Sequence, residues 1–417
     1  MAINREFVNH RGSMPFLGFR KTIAEECSES STLAPSERLR ALCARALRDQ
    51  DGSAEDRIHR ELDLLHRLGL DDLILALWDI HRFAINNGHL SMITGQFAGS
   101  LVAHLLGLTP VNPLRRRLIV EPRLDPKRMF APTRILFVSD GSEKVVEYAR
   151  AKYRWDDSAD GDRPFRAFSQ EWQSPAGGKP DRAAIDVLDH PGLSAINKTV
   201  ELIRANSDLK DLPSDLPDDD TMTFAVFEQG ETDGVCQFES TGCQELLREL
   251  MPDRVEELAA VIAIYRPGPI EAGMLREFVD RKHGQLKWSP PNPDVEEILD
   301  ETYGVLLYWE QIAEILHRVA GLDLREGGDL LKALCKRSHD NISQTRERFR
   351  SGARQRHVEP QVADAIFEEI ESRGPHTFCK AHAMSYACLA YQMAFLKAHY
   401  LEEFEVAITH LESVESA

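Results

Sequence analysis

Apolar residues recur at helical spacing near the start of the chain and predict successive helices between residues 36 and 86. The clearest helix is predicted over Glu55–Leu68, where three aliphatic side chains fall on one face: Ile58, Leu62 and Leu65. Gly69 follows directly and predicts the end of this helix. A further apolar helix is predicted over Leu73–Phe83. The pattern therefore indicates a helical layer ahead of any strand.

Extended segments follow this helical layer. Arg117–Val120 and Ile135–Val138 are short apolar runs that predict strands, and Val145–Tyr153 returns to helical spacing. Residues 154–182 and 207–221 are rich in Asp, Gly, Pro and Ser, which predicts a long loop and a linker. Because strands and helices are mixed in this half, the pattern predicts an α+β fold.

Helical spacing dominates from residue 222 to residue 410. Turn signals separate these helices at Pro267–Pro269, Pro290–Pro291, Gly327–Gly328 and Gly374–Pro375. No internal repeat is visible. The chain therefore divides into four predicted parts: a loose entry segment at 1–35, a mixed region at 36–206, a linker at 207–221 and a helical domain at 222–417.

Composition and charge restrict the class of protein. The chain is 42% hydrophobic and 28% charged, and no apolar run is long enough to span a bilayer. Seven cysteines form no CxxC pair and the N-terminus has no signal-like apolar region, so we expect reduced thiols, a cytoplasmic location and no membrane partner. A net charge of −18 excludes a surface that is basic all over, but it leaves room for a local basic groove.

A set of motifs fills the second half of the chain in a fixed order: Thr232–Ser240, Tyr265–Ile270, Asp280–Gly284, Thr302–Val305, Leu331–Arg337, Phe378–His382 and Leu396–Tyr400. These motifs resemble the fingers domain of bacterial replicative DNA polymerases, the polymerase III alpha subunit or C family. The resemblance implies an α+β fold with a reduced polymerase palm of the Pol β-like nucleotidyltransferase type and a mostly α-helical fingers domain. It assigns residues 36–206 to the thumb and palm and residues 222–417 to the fingers.

The first half resembles the family more loosely. Ala98–Ala103 is similar to the end of the family's Gly/Ser-rich loop, which approaches the incoming triphosphate. Gly99 and Ser100 are therefore implied nucleotide contacts. Three neighbouring positions depart from the family pattern, which has Arg, Ser and Gly there: Thr94, Gln96 and Phe97.

The catalytic strand of the family holds two metal ions through closely spaced aspartates, and residues 129–148 resemble the surroundings of that strand. The alignment without a gap puts three residues at the aspartate positions: Thr133, Ile135 and Phe137. A slip of one residue would put Arg134 and Leu136 there instead. Neither alignment yields the carboxylate pair that Mg²⁺ needs.

A later strand resembles the one that carries the family's third aspartate. It keeps this residue as Asp186, the remnant catalytic and metal-binding candidate, although Ala184 replaces a lysine of the family. A rebuilt metal site would need Asp140, Asp189 or Glu143 to converge with Asp186, and Mg²⁺ is expected as a cofactor only in that case. The alternative is that Asp140 caps the following helix. The stretch between the two aspartate sites is much shorter than in the family, so the palm is expected to be reduced.

The fingers motifs carry a basic set that resembles triphosphate and nucleic-acid contacts: Arg266, Arg281, Lys282, Lys332, Lys336, Arg337 and Lys380, together with His382. Arginine offers bidentate forks to phosphate and lysine offers a point charge, whereas the alternative is ordinary solvated charge. Tyr386 lies one helical turn from His382, and the pair either faces a ligand or packs inside. Trp309 either stacks on a base or packs in the core.

Residues of the types that bind zinc also occur at His376, Cys379 and His382, but no fourth ligand is near them in the sequence. We therefore expect a structural or substrate-facing role for this string.

Three functions are compatible with these observations. The leading hypothesis is a polymerase body with a dismantled two-metal site, which binds DNA or a nucleotide without ordinary templated synthesis. The second is a repurposed metal-dependent nucleotidyl or phosphoryl transferase that acts on a small nucleotide through Asp186. The third is a protein-interaction scaffold subunit with a protein partner. Whether the chain is an enzyme stays open. The family's N-terminal phosphoesterase-like domain and its C-terminal clamp-binding and oligonucleotide-binding domains are expected to be missing.

Overall fold

The computed structural model describes residues 13–17, 33–47, 52–119, 134–153, 166–172, 181–206 and 212–415. Helices dominate and two small sheets accompany them, which confirms the α+β prediction. None of the helices in the described part of the chain is long and apolar enough to cross a membrane.

The first half contains six strands and six α-helices among the described residues: β1 Ser13–Pro15, α1 Pro35–Ala46, α2 Gly52–Arg67, α3 Asp71–Asn86, β2 Ser91–Thr94, α4 Leu101–Leu105, β3 Arg134–Ser139, α5 Ser142–Lys152, β4 Arg166–Trp172, β5 Asp181–Asp189, α6 Pro191–Ala205 and β6 Asp215–Pro217. A 3-10 turn over Gln96–Gly99 precedes α4. The predicted helices at 55–68, 73–83 and 145–153 are confirmed by α2, α3 and α5.

The second half is helical over its described residues: α7 Thr221–Glu228, α8 Thr241–Leu250, α9 Val255–Ile264, α10 Pro267–Glu271, α11 Met274–Lys282, α12 Pro293–Leu299, α13 Trp309–Ala320, α14 Arg325–Cys335, α15 His339–Gln355, α16 Pro360–Arg373, α17 Lys380–His399 and α18 Leu401–Glu415. This confirms the predicted helical character of residues 222–410.

The larger sheet has four strands in the order β2-β3-β5-β4. β3 runs parallel to β5, whereas the other two pairs are antiparallel. Phe137 of β3 is paired with Val187 of β5, and both are buried in the apolar cluster formed with α1 to α5. Val138 belongs instead to the cluster around α6, α9 and α17. The central strand is therefore covered on both faces, as expected for a strand between parallel and antiparallel neighbours inside a layered fold.

The smaller sheet changes two predictions. β1 pairs with β6 in antiparallel register, so the described part of the entry segment is anchored rather than loose. β6 lies inside the segment predicted as a linker. Phe16 and Leu216 are both buried in the same cluster, which explains why this short pair is held in place.

Helix α17 connects the two halves. It packs against α6, α7 and α9, and also against β2 and the 3-10 turn. Gln392 accepts a hydrogen bond from the Leu17 amide at 3.0 Å, and the Tyr391 hydroxyl donates to the Pro217 carbonyl at 2.6 Å. Because both side chains are buried, α17 fixes the small sheet as well as β2 and the 3-10 turn.

Three local predictions were wrong. The described residues of Arg117–Val120 form a turn rather than a strand, and Arg117 has a positive φ of 48°. Strand β4 lies inside the predicted 154–182 loop and pairs with β5. Gly327 and Gly328 are inside α14 instead of forming a turn. A Cβ on Gly327 would stand 2.5 Å from the Ala313 Cβ, so this glycine permits close packing of α14 on α13.

A second close helix contact generates a stability prediction. A Cβ on Gly352 of α15 would stand 1.9 Å from the backbone carbonyl oxygen of Ala320, at the end of α13. Gly352→Ala should force the two helices apart and lower the free energy of unfolding by about 1–3 kcal/mol. The exposed neighbouring substitution Ser351→Ala should change it by less than about 0.5 kcal/mol. Urea denaturation of both variants checks this, and equal midpoints would contradict the packing.

Candidate functional site

The N-terminus of α4, where the resemblance places a phosphate, is occupied by a carboxylate of the chain itself. Glu61 of α2 is 2% exposed. Its Oε2 accepts hydrogen bonds from the Ser100 hydroxyl at 2.7 Å and from the amides of Leu101 at 2.8 Å and Val102 at 3.2 Å. Arg57 donates to the other oxygen of Glu61 at 2.7 Å. A helix N-terminus favours an anion, and here that anion is internal.

Gly99 and Ser100 therefore do not face a free phosphate site in this structure. The Ser100 hydroxyl is buried and also caps α4 by accepting from the Ala103 amide at 3.3 Å. A Cβ on Gly99 would stand 3.1 Å from the Ala381 Cβ. Gly99 thus allows the first turn of α17 to pack against the 3-10 turn, which is a structural reason for glycine at this position.

Phe137, which the alignment without a gap puts at a family aspartate position, is fully buried in the apolar cluster beside Val187. Thr133 lies outside the described residues, as do the side chains of residues 134–136 and 181–186, including that of Asp186. The backbone register of the parallel strands is described, and it pairs Leu136 with Asp186. The alignment slipped by one residue is therefore the one that puts an aspartate position directly across from Asp186.

The two proposed replacement aspartates have internal partners. Asp189 caps α5, because its carboxylate accepts from the Ser142 amide at 3.1 Å and from the Ser142 hydroxyl at 2.6 Å. Asp140 accepts from the Asn197 side-chain amide and lies 3.3 Å from the His89 Nδ1. Burial raises the pKa of Asp140. The alternative prediction was that Asp140 caps α5, but Asp189 provides this cap.

These hydrogen bonds indicate whether the described carboxylates are available to bind a pair of metal ions. Among the described side chains, no group of three His, Cys, Asp or Glu residues is close enough to hold a metal ion. Phe137 is apolar and buried, and Asp140 and Asp189 are used in structural hydrogen bonds. The described donor set therefore does not fit a two-metal centre, and no catalytic step is derived through one. The His376, Cys379 and His382 string forms no metal cluster either.

Lys380, one of the predicted phosphate contacts, is only 3% exposed. Its Nζ lies 2.7 Å from a Glu301 carboxylate oxygen and donates to the Arg116 carbonyl at 2.8 Å. Its backbone amide donates to Glu310 at 2.9 Å, so Glu310 occupies the N-terminus of α17. The charge of Lys380 is therefore neutralised inside the fold.

Three further cations of the predicted basic set lie beside carboxylates: Lys282 is 2.6 Å from Glu257, Arg281 contacts Glu277, and Lys332 is 3.7 Å from Asp329. Lys336 and Arg337 are exposed at the end of α14 and form no ion pair with the described residues. Four cations of the basic set are therefore paired with carboxylates of the chain itself. Trp309, the proposed stacking residue, is 1% exposed and packs in the interior.

Arg266 also forms no ion pair with the described residues, but it differs from Lys336 and Arg337 because its side chain is held by hydrogen bonds. It precedes α10, and its guanidinium donates from Nε to the Ala263 carbonyl at 2.7 Å and from Nη2 to the His376 carbonyl at 2.6 Å. The guanidinium carbon lies 4.6 Å from the centre of the Phe378 ring. No carboxylate in the described part of the chain pairs with it, and burial lowers its pKa. Its positive charge is held in place but is not neutralised.

Arg266 faces a cavity of about 270 Å³ between the α8–α10 segment and α17. The described residues that line it include no Asp and no Glu: Gln237, Cys243, Val261, Ile262, Tyr265, Arg266, Phe378, His382 and Tyr386. A Cβ on Gly242 would stand 2.1 Å from the Tyr265 hydroxyl, so this glycine makes room for the ring. We define this space as the Arg266 cavity.

A row of rings runs along one side of the Arg266 cavity. The ring centres of Phe378 and His382 are 5.5 Å apart, those of His382 and Tyr386 are 5.0 Å apart, and His190 follows 5.6 Å from Tyr386. Burial lowers the pKa of His382 and of His190, which favours neutral rings at pH 7. The prediction that His382 and Tyr386 lie one helical turn apart is confirmed by their ring contact. The sequence did not single out Tyr265, Gln237 or His190, although the first two lie in the fingers motifs.

Comparison with known proteins now assigns the family. The profile described as "Bacterial DNA polymerase III alpha subunit finger domain" matches residues 192–357, and the one described as "Bacterial DNA polymerase III alpha NTPase domain" matches residues 35–160. The DNA polymerase III subunit alpha of Halalkalibacterium halodurans is 28% identical over 93% of this chain. The chain is a DNA polymerase III alpha-like protein.

Other relatives extend this finding. The DNA polymerase III subunit alpha of Thermus aquaticus is 28% identical over the whole chain, and that of Chlamydia muridarum is 36% identical over 54% of it. The polymerase III alpha-like chain spans less than half of the first two relatives, 45% and 43% of their lengths. The Thermus aquaticus alignment runs over 526 positions, so this chain of 417 residues lacks internal segments that the relative has.

The cap of α5 generates a prediction that separates a structural from a metal-binding role for Asp189. Asp189→Ala should lower the free energy of unfolding by about 1 kcal/mol, because the Ser142 amide loses its acceptor. Glu147→Ala, at an exposed position of the same helix, should have a smaller effect. The measurement is thermal unfolding with and without millimolar Mg²⁺ or Mn²⁺.

We expect the metal to shift the unfolding midpoint of the native chain and of Asp189→Ala by the same small amount. A metal-dependent rise that occurs in the native chain and disappears in Asp189→Ala would show that Asp189 is a metal ligand after all.

Proposed function

We propose that this polymerase III alpha-like chain is a binding protein without ordinary templated DNA synthesis, which retains affinity for nucleic acid or a nucleotide. The observation that carries the proposal is the contrast between its two halves. The carboxylates near the family's metal position are structural, whereas Arg266 in the fingers motifs keeps an uncompensated charge beside a cavity.

The loss of synthesis is argued from the requirements of phosphoryl transfer. Two metal ions activate the attacking hydroxyl and the leaving group, and each ion needs carboxylate oxygens. The sequence of β3, Arg134–Ser139, contains no aspartate or glutamate. A pseudo-enzyme role follows, in which Asp186 is a remnant of the centre rather than a working part of it.

The domain assignment belongs to the same proposal. We propose a reduced palm of the Pol β-like type within residues 36–206 and a fingers-like domain within residues 222–417. The ranges of the two family profiles, 35–160 and 192–357, support a division near these positions. The Arg266 cavity and the exposed cations Lys336 and Arg337 lie within residues 222–417. We therefore propose that this part of the chain binds the ligand.

The proposal predicts the outcome of a primer-extension experiment. With a labelled primer–template duplex, the four deoxynucleoside triphosphates and either Mg²⁺ or Mn²⁺, we expect no template-dependent extension above the no-protein control. Fluorescence anisotropy with the same duplex and with labelled nucleotide should show binding of at least one of them. A curated full-length relative serves as the positive control for extension.

Robust templated synthesis that is lost in Asp186→Ala would overturn the proposal and restore a working catalytic centre. Metal-dependent turnover of a small nucleotide without a template, lost in the same variant, would favour the transferase hypothesis. Absence of binding to DNA and to every nucleotide would leave the scaffold hypothesis as the better account.

A further inference from the structure

We infer that the Arg266 cavity binds a single phosphate monoester attached to a nucleoside, and that it does not select a triphosphate. This inference rests on the proposed nucleic-acid or nucleotide binding and specifies the chemistry that the site recognises. The same chemistry occurs in a free nucleoside monophosphate and at the phosphorylated end of a nucleic-acid strand.

The first argument is the state of the Arg266 guanidinium. Two of its nitrogen atoms, Nε and Nη2, donate to the carbonyls of Ala263 and His376, and the plane lies near the Phe378 ring. Its Nη1 has no hydrogen-bond partner among the described residues. Backbone carbonyls orient the group without cancelling its charge. Arg266 is therefore preorganised to donate a charge-assisted hydrogen bond to an anion.

The second argument is the amount of charge that the cavity can balance. Among the described residues that line the cavity, Arg266 is the only lysine or arginine, and none is a carboxylate that would repel a phosphate. A phosphate monoester carries about −1.5 to −2 charges at pH 7. A triphosphate adds two more charged phosphates, and these would require further cations.

Two other cations of the predicted basic set are paired with carboxylates, and the exposed Lys336 and Arg337 are not among the lining residues of the cavity. Lys380 is paired with Glu301, and Lys282 is paired with Glu257. The amides at the start of α4 are bound to Glu61. A metal ion could replace a cation, but the described carboxylates form no cluster that would hold one. One arginine and one phosphate is therefore the best charge match.

The third argument concerns the group attached to the phosphate. Apart from Arg266, the lining is aromatic, aliphatic and amide in character. Tyr265, Tyr386 and the neutral His382 suit the flat face of a base, because every base offers a π-face for stacking. Gln237 offers both a donor and an acceptor for the edge of a base. A nucleoside attached to the phosphate thus finds complementary surroundings that inorganic phosphate would not use.

The test is a ligand series measured by isothermal titration calorimetry without divalent metal. The ligands are deoxyadenosine and its mono-, di- and triphosphates, together with inorganic phosphate. We expect the monophosphate to bind at least about 10-fold more tightly than the nucleoside, since a charge-assisted hydrogen bond is lost with the phosphate. The triphosphate should bind within about three-fold of the monophosphate.

Variants connect the affinity to the cavity. Arg266→Gln should weaken monophosphate binding about 10- to 100-fold, and Arg266→Lys should have a smaller effect. Lys287→Gln removes an exposed charge that is neither in the lining nor in the predicted basic set, so it should leave this affinity unchanged. Thermal unfolding confirms that each variant is folded. If Arg266→Gln does not fold, Arg266→Lys and the ligand series on the native chain decide the question.

A further arm distinguishes the two sources of the ligand. Oligonucleotides with a 5′-phosphate or a 5′-hydroxyl are titrated in parallel, and deoxyadenosine monophosphate is added as a competitor. A preference of about 10-fold for the phosphorylated strand would identify the strand end as the source. Equal binding of both strands, together with tight binding of the monophosphate, would identify the free nucleotide.

Two results would overturn the inference while leaving the proposed function intact: a triphosphate that binds more than about 10-fold more tightly than the monophosphate, or an affinity that Arg266→Gln does not change in a folded protein. Failure of every nucleotide and every oligonucleotide to bind would instead overturn the proposed function itself.

Discussion

The structure depends on carboxylates that occupy the N-termini of its own helices. Glu61 accepts from the first amides of α4, Asp189 accepts from the start of α5, and Glu310 accepts from the Lys380 amide at the start of α17. Each contact satisfies amides that a helix cannot pair internally and places negative charge at the positive end of the helix dipole. These contacts also connect separate segments of the chain, because Glu61 and Glu310 come from other helices.

Other carboxylates explain why the fingers motifs offer few unpaired cations among the described residues. With a net charge of −18, the chain surrounds most arginines and lysines of the fingers motifs with acids, as in the pairs of Lys380 with Glu301 and Lys282 with Glu257. A buried pair of this kind is expensive to break, since one unpaired charge would be left inside. Arg266, which is held by carbonyls instead, keeps its charge for an external anion.

Features that depend on neighbouring residues could be predicted from the sequence, whereas contacts between residues far apart in the sequence could not. The helix over residues 55–68 was predictable because its apolar spacing is local, and the ordered fingers motifs identified the family. The partners of the charged residues were not predictable, because Glu61 lies 39 positions from Ser100 and Glu301 lies 79 positions from Lys380. The Gly327–Gly328 pair predicted a turn from the local sequence alone. Gly327 instead allows α14 to pack closely on α13, a contact that the local sequence does not reveal.

The central claim is that internal carboxylates neutralise most of the fingers cations. The salt dependence of DNA binding tests it most directly, because the slope of log K against log salt is about −0.9 for each phosphate that a protein neutralises. Three free cations, Arg266, Lys336 and Arg337, predict a slope of about −3 or shallower on duplex DNA. A slope of about −6 or steeper would mean that the whole basic set contacts phosphates, which would contradict the account.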